Sequence, residues 1–160
     1  MVHTDKIVKD IEISHTGILD FKEFLQLMRD FFGNYNYDIT EKVYDTKVTT
    51  EGLKNTMIKW DADRRLDDYN KAIFKISYSL SDYKEIYVEK KKVIDGKFKL
   101  KIELEMERDY DENWKKAPTR RFLRAVYDKY IAEPKQSKID NEAKEAVQRL
   151  KEQVKKYLGE

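Results

Sequence analysis

The spacing of apolar residues along this chain of 160 residues changes twice, and each change marks a different kind of predicted structure. From Asp5 to His15 apolar residues lie among charged ones, which favours a strand. From Asp20 to Phe32 they recur at every third or fourth position, which predicts a helix with one apolar stripe. Asp20 and Glu23 have the spacing of a capping box, and Gly33 stands where a left-handed C-terminal cap ends a helix.

The period shortens to two between Tyr37 and Asp109, as is typical of strands. A change of parity between Val43 and Tyr44 indicates either a bulge or a strand whose two faces both pack. Ser81-Asp82 indicates a turn, and Asp95-Gly96 is a strong hairpin signal. Apolar and charged residues alternate most strictly in the last strand, which predicts an antiparallel sheet with one buried and one wet face. The apolar positions of that strand are Phe98, Leu100, Ile102, Leu104 and Met106.

Helical spacing returns after the strands. Pro118 and Thr119 begin a predicted helix that Pro134 ends, and Pro134–Lys138 is a predicted linker. The last helix has an apolar stripe with nearly the spacing of a coiled-coil seam. A lone helix of this length is marginal in water, so the stripe must pack on its own domain or on a second chain, and the narrow spacing favours a contact between chains. The seam residues are Ala143, Val147, Leu150, Val154 and Tyr157.

These elements predict an α+β fold with an antiparallel sheet of about six strands, covered by the Asp20 helix and the Thr119 helix. The predicted domain spans residues 1–133, and an amphipathic C-terminal helix over 139–160 follows the linker. The element order resembles that of helix-grip (START-like) domains, in which a curved sheet wraps a long C-terminal helix. That resemblance implies a cavity for a small apolar ligand, with Trp60, Ile76, Tyr78, Leu104 and Tyr130 as candidate lining residues.

Composition excludes several classes of chemistry. With no cysteine and two histidines, the chain cannot form disulfides or Cys-ligated metal sites, and we expect no metal and no cofactor. Its glycines are isolated, so no phosphate-binding loop is indicated. The longest apolar runs are far too short to cross a membrane, and the N-terminus lacks the pattern of a secretory signal, so we expect a cytoplasmic protein.

Charge is abundant and blocked along the sequence, although Lys and Arg (33) nearly balance Asp and Glu (31). Residues 90–101 are basic, residues 102–113 acidic and residues 114–130 basic again. The first interpretation of the last block is that it pairs with the acidic block directly before it. The alternative is a surface for an anionic partner, such as RNA, a ribonucleoprotein or an acidic protein. The candidate anion-binding residues are Lys115, Lys116, Arg120, Arg121 and Arg124.

The sequence favours a non-enzymatic binding or assembly protein that acts through charged patches and the C-terminal helix, with itself or another protein as partner. The alternatives are a helix-grip-like carrier of a small apolar ligand and an enzyme of unrecognised type, since tyrosines and carboxylates suffice for some reactions. The segments His15–Asp20 and Arg121–Tyr130 also resemble short archaeal proteins of unassigned function, and that resemblance implies no activity.

Overall fold

A computed structural model of the chain describes residues 3–108 and 133–159 and confirms the predicted α+β fold with an antiparallel sheet. Within these residues the sheet has five strands, whereas about six were predicted. The predicted Thr119 helix lies outside the described residues. The described elements are β1 (His3–Leu19), α1 (Phe21–Asn34), β2 (Asp38–Val48), β3 (Lys54–Arg65), β4 (Asn70–Val88), β5 (Lys91–Arg108) and α2 (Glu133–Leu158).

The strand count was wrong because both predicted turns after residue 80 lie inside strands. Ser81-Asp82 forms an irregularity within β4, where the pairing with β5 shifts. The hairpin turn lies instead at Glu89 and Lys90, whose φ angles of 50° and 67° are the positive values that a tight hairpin turn needs. Glu and Lys are not among the residues that favour positive φ, so Glu89-Lys90 carries no turn signal whereas Asp95-Gly96 does, and the pattern pointed to the wrong turn.

Gly96, the strongest predicted turn residue, has a different role in the middle of β5. A Cβ atom at this position would collide with the side chain and backbone of Tyr83 on the neighbouring strand. Gly96 also pairs with Gly17 of β1 on its other side. The glycine therefore allows the backbone of β5 to approach Tyr83 closely, as glycine within a strand often does.

The five strands are hydrogen-bonded in the order β1-β5-β4-β3-β2, and every neighbouring pair is antiparallel. The first strand therefore lies beside the last, and β2 forms the opposite edge. Of the two alternatives for the parity change in β2, the structure shows the bulge, as a register shift between Glu41 and Val43. The helix start is confirmed, because the carboxylate of Asp20 accepts a hydrogen bond from the backbone N–H of Glu23 (3.1 Å).

Both helices cover the same face of the sheet. The alternating apolar residues of β5 are buried, as predicted, beneath Phe24, Met28 and Phe32 of α1. The Phe24 ring lies 5.1 Å from that of Phe98 and 5.7 Å from that of Tyr157 on α2, so α2 packs beside α1.

The C-terminal helix differs from its prediction in two respects. It begins at Glu133, so residues 134–138, the predicted linker, are helical. Its stripe belongs to the core of the same chain, because Val147, Leu150 and Val154 are at most 1% exposed, Ala143 is buried and Tyr157 packs against the core. The interpretation of these residues as a seam between chains was wrong. Burying the stripe against α1 and the sheet removes the same apolar surface from water without needing a second molecule.

A buried arginine joins four segments at one end of the core. Arg108, which is 6% exposed, donates to Asp5 of β1 (2.8 Å), to Asn70 of β4 (2.8 Å) and to both oxygens of Asp140 on α2 (3.1 Å each). Burial lowers the pKa of the guanidinium, but the bonds to Asp5 and Asp140 outweigh it and raise that pKa, so the group stays charged. The cation therefore ties the end of β5 to both of its neighbouring strands and to α2.

We expect Arg108→Met to reduce the free energy of unfolding by about 3–5 kcal/mol, because it leaves two carboxylates and an amide oxygen without their shared donor. Urea denaturation followed by circular dichroism measures the change. The matched control is Lys99→Met on the same strand, whose pair with Glu12 (3.2 Å) is about half exposed. That control should cost less than about 1 kcal/mol. Equal losses in the two variants would contradict the role assigned to Arg108.

Candidate interaction surface on the open sheet face

The face of the sheet opposite the helices is covered by no element within residues 3–108 and 133–159, and we call it the open face. Side chains alternate between the two faces along a strand, so the charged residues that alternate with buried apolar ones lie on the open face. On β5 between Lys97 and Glu107 it presents three lysines, Lys97, Lys99 and Lys101, and then three glutamates, Glu103, Glu105 and Glu107. Asp95 precedes the lysines with the same parity. Folding therefore converts two charge blocks of the sequence into two halves of one surface.

The basic half consists of the three β5 lysines, Lys59 of β3 and three serines of β4 that lie between these strands. Register places Ser77 directly between Lys59 and Lys101. Lys99 contacts Glu12, but in the described part of the chain neither Lys59 nor Lys101 belongs to an ion pair. Two cations that flank a hydroxyl donor on an uncovered surface can bind an anionic group without breaking an existing contact.

The acidic half is more internally paired. It consists of the three β5 glutamates together with Asp61 and Asp63 of β3. Lys75 of β4 lies 3.1 Å from Asp61, and Lys71 lies 3.2 Å from Asp63. These cross-strand pairs hold the aspartates in place on a partly exposed surface, where each pair adds little stability.

A depression of about 380 Å³ lies where the two halves meet. Asp10 of β1 reaches it from an irregular stretch of that strand, where its φ is 43°. A hydrogen bond between the carboxyl groups of Asp10 and Glu103 raises the pKa of Glu103, and burial raises it further. Lys6, 3.9 Å away, opposes this effect. Glu103 therefore keeps its proton to a higher pH than an isolated glutamate does. The lining residues of the depression carry both signs of charge: Asp10, Lys59, Asp61, Lys75, Lys101, Glu103 and Glu105.

Residues 3–108 and 133–159 contain neither a group of metal-ligating side chains nor a helix suited to crossing a membrane. Among them, no group of three or more histidine or carboxylate side chains is arranged to hold a metal ion. Within the same residues, neither helix combines the length and the apolar character needed to span a bilayer.

The predicted anion-binding residues cannot be placed. Lys115, Lys116, Arg120, Arg121 and Arg124 all lie outside the described residues, and so does Tyr130 of the predicted cavity.

The other four predicted cavity residues are placed, and they are packed together in the core. Trp60, Ile76, Tyr78 and Leu104 are each at most 2% exposed. The rings of Trp60 and Tyr78 lie 4.9 Å apart, and Phe24 of α1 stacks edge-on against Tyr78 at 6.2 Å. Phe24 thus occupies space that a ligand would need next to these residues.

The open face was only partly visible to sequence reasoning. The alternation of β5 identified its lysines and glutamates as exposed, but their neighbours across the sheet were missed. Ser77 and Lys59 are 18 residues apart in the sequence, and Lys101 is 24 residues beyond Ser77, so only the register joins them. The available signal was the parity of each position, since Lys59 and Ser77 alternate with apolar residues on their own strands and therefore face away from the core.

Comparison with known proteins adds no assignment: no family model matches the chain, and no match was found among curated proteins or solved structures.

We expect Glu103→Gln to stabilise the protein at neutral pH. Because the folded state raises the pKa of Glu103, it binds this proton more tightly than the unfolded state does, and that contribution is lost as pH rises through the raised pKa. Glutamine keeps the shape of the protonated acid and cannot ionise. The gain, measured by thermal denaturation across pH, should therefore shrink towards acid pH.

Glu107→Gln is the matched control for this prediction. It removes the same charge from the same face of β5, two outward positions from Glu103. Glu107 pairs with Thr4 of β1 and Lys71 of β4 and does not lie beside Asp10. A pH-dependent gain of the same size in both variants would show that general charge reduction, not the Asp10–Glu103 contact, is responsible.

Proposed function

We propose that this protein is a non-enzymatic binding or assembly protein whose recognition surface for a protein partner is the open face of the sheet. The observation that supports the proposal is the division of this face into a basic and an acidic half along β5. A surface with one positive and one negative half binds best to a partner surface whose charges are arranged in the opposite way. Electrostatic complementarity of this kind selects partners and fixes their orientation.

A protein is favoured over RNA as the partner because the acidic half would repel a phosphate backbone. Proteins that bind single-stranded RNA on a sheet also use aromatic side chains to stack the bases. Such aromatic residues are absent from the described part of the open face between Lys97 and Glu107 of β5. They are also absent from the positions opposite on β3 and β4.

The size of the open face is sufficient for a specific interface. Five strands spaced at about 4.8 Å give a width of about 20 Å, and the ten-residue interval from Lys97 to Glu107 gives a length of about 33 Å. The product is about 700 Å², which is close to the roughly 800 Å² that each partner contributes to a standard protein–protein interface.

Charge reversal in the basic half tests the proposal. Proteins retained by the immobilised wild type at low salt and released at high salt are identified, purified and titrated against variants by calorimetry. We expect the double variant Lys99→Glu with Lys101→Glu to weaken binding at least tenfold, because it turns two attractive contacts into repulsive ones. The control is Lys22→Glu with Lys144→Glu, which changes net charge equally at exposed positions on the two helices.

Two outcomes would contradict the proposal. Equal weakening by both double variants would mean that binding depends on net charge and not on the open face. Tight binding of single-stranded RNA at low salt, lost in the Lys99/Lys101 variant, would make nucleic acid the partner, since low salt is the most permissive condition for such binding.

A carrier of a small apolar ligand is the second candidate. It is supported by the packing of α2 across the same face of the sheet as α1, as the helix-grip resemblance implies. A pocket of about 200 Å³ lies at one end of this layer, and Leu66, Ile139 and Arg149 are among its lining residues. It is smaller than the roughly 300–1,000 Å³ of typical ligand sites, so it fits only a small ligand or part of one.

If the protein is a carrier, it should bind a small apolar fluorescent probe of about the size of naphthalene with a stoichiometry of one. Leu66→Trp, which fills part of the pocket, should then reduce affinity at least tenfold, because the apolar contact area is lost. Fluorescence titration measures both. Unsaturable binding, or equal affinity of the Leu66 variant and the wild type, would reject the carrier function.

A further inference from the structure

The free edge of β2 carries apolar side chains that nothing in the described part of the chain covers. Tyr44 is 64% exposed and Val48 is 66% exposed. Both lie on the core side of the sheet, because Tyr44 pairs with the buried Ile58 and Thr46 pairs with the buried Thr56. They project from the sheet on the side of the helices, but the helices do not reach them.

The outer edge of β2 also presents backbone groups for pairing. The N–H of Thr49 donates to the carbonyl of Leu53 across the hairpin (2.7 Å). Because antiparallel pairs alternate between hydrogen-bonded and non-hydrogen-bonded, Lys47 and Asp45 also bond towards β3. The N–H and C=O groups of Tyr44, Thr46 and Val48 therefore point to the free edge.

Natural edge strands usually carry features that prevent such pairing, and the two edges of this sheet differ in them. Register shifts interrupt β1 between Lys6 and Val8 and again between Val8 and Ile11. In β2 the bulge lies before Val43, and the pairing from Val43 to Val48 is regular. The unprotected stretch is also the one that exposes Tyr44 and Val48.

The charges of this stretch are self-complementary in one register. Asp45 and Lys47 lie on either side of Thr46 and face the same way, with their charged atoms 4.0 Å apart and largely exposed. If two copies pair antiparallel about Thr46, Asp45 of each lies opposite Lys47 of the other. Tyr44 then lies opposite Val48, an aromatic–β-branched pair that stabilises antiparallel strands.

The neighbouring registers fail for stated reasons. Pairing about Asp45 or about Lys47 places two like charges directly opposite each other, which is destabilising. Pairing about Tyr44 runs into the bulge before Val43, and pairing about Val48 runs into the turn that begins at Thr49.

We propose that two copies of this chain associate through β2, antiparallel and centred on Thr46, to form one continuous sheet of ten strands. The two-fold axis of such a pair is perpendicular to the sheet, so both open faces lie on the same side. The pairing thus doubles the surface to which the proposed function assigns partner recognition. It does not depend on that function, because no residue of the basic or acidic half takes part. The short contact predicts a dimer that dissociates on dilution.

Charge exchange tests the register. Asp45→Lys places two lysines opposite each other in both symmetric positions, and Lys47→Asp places two aspartates there. Each single variant should weaken the dimer at least tenfold. The double variant Asp45→Lys with Lys47→Asp restores both pairs and should dimerise like the wild type. Sedimentation equilibrium, from low micromolar to submillimolar concentration, gives the dissociation constants.

Two further variants separate β2 pairing from other association. Thr46→Pro removes the N–H that the central pair needs and leaves the backbone bonds to β3. It also removes the hydroxyl that lies 2.9 Å from the hydroxyl of Thr56, so Thr46→Val, which loses the hydroxyl and keeps the N–H, is its control. The proline variant should abolish the dimer and the valine variant should retain it, both with unchanged circular dichroism. Lys99→Glu with Lys101→Glu alters only the open face and should leave the dimer intact while it weakens partner binding. A wild type that remains monomeric at all concentrations, or a double exchange that fails to restore the dimer, would overturn the inference.

Discussion

Alternate side chains of β5 from Phe98 to Met106 are almost completely buried beneath α1 and α2, and this burial sets the orientation of the whole sheet. β5 is hydrogen-bonded to β1 on one side and to β4 on the other, so its register is transmitted in both directions. A shift of one residue would place lysines and glutamates in the core. The same constraint forces those charges onto the opposite face, where they form the proposed recognition surface.

The end of the core is closed by charge and not by apolar packing. Arg108 connects β5 with β1, β4 and α2 through Asp5, Asn70 and Asp140, residues that are far apart in the sequence. Burying a guanidinium is unfavourable unless its donors are matched, and here both ion pairs and the amide bond match them. The network fixes the first turns of α2 against the sheet, and the apolar stripe that follows then packs along α1.

The reach of the helices explains which surfaces remain free. Two helices side by side, each about 10 Å across, cover about 20 Å. That is no wider than the five strands, so the helices can cover an edge strand only where they run directly above it. Ile39, near the start of β2, is still packed against the core, whereas Tyr44 and Val48 further along are exposed. The proposed interaction surfaces thus lie where side chains are not buried by the helices.

The sequence by itself determined the local features that depend on short spacings: the N-capped helix from Asp20, the antiparallel sheet and the alternating faces of β5. Tertiary structure alone decided the rest. Gly96 resembles a turn residue until Tyr83 is placed against it, and the stripe around Leu150 resembles a seam between chains until α1 is placed beside it. Lys59, Ser77 and Lys101 become neighbours only through strand register. Periodicity shows that a side chain is buried or exposed, but its partner depends on contacts between distant segments, which no local pattern encodes.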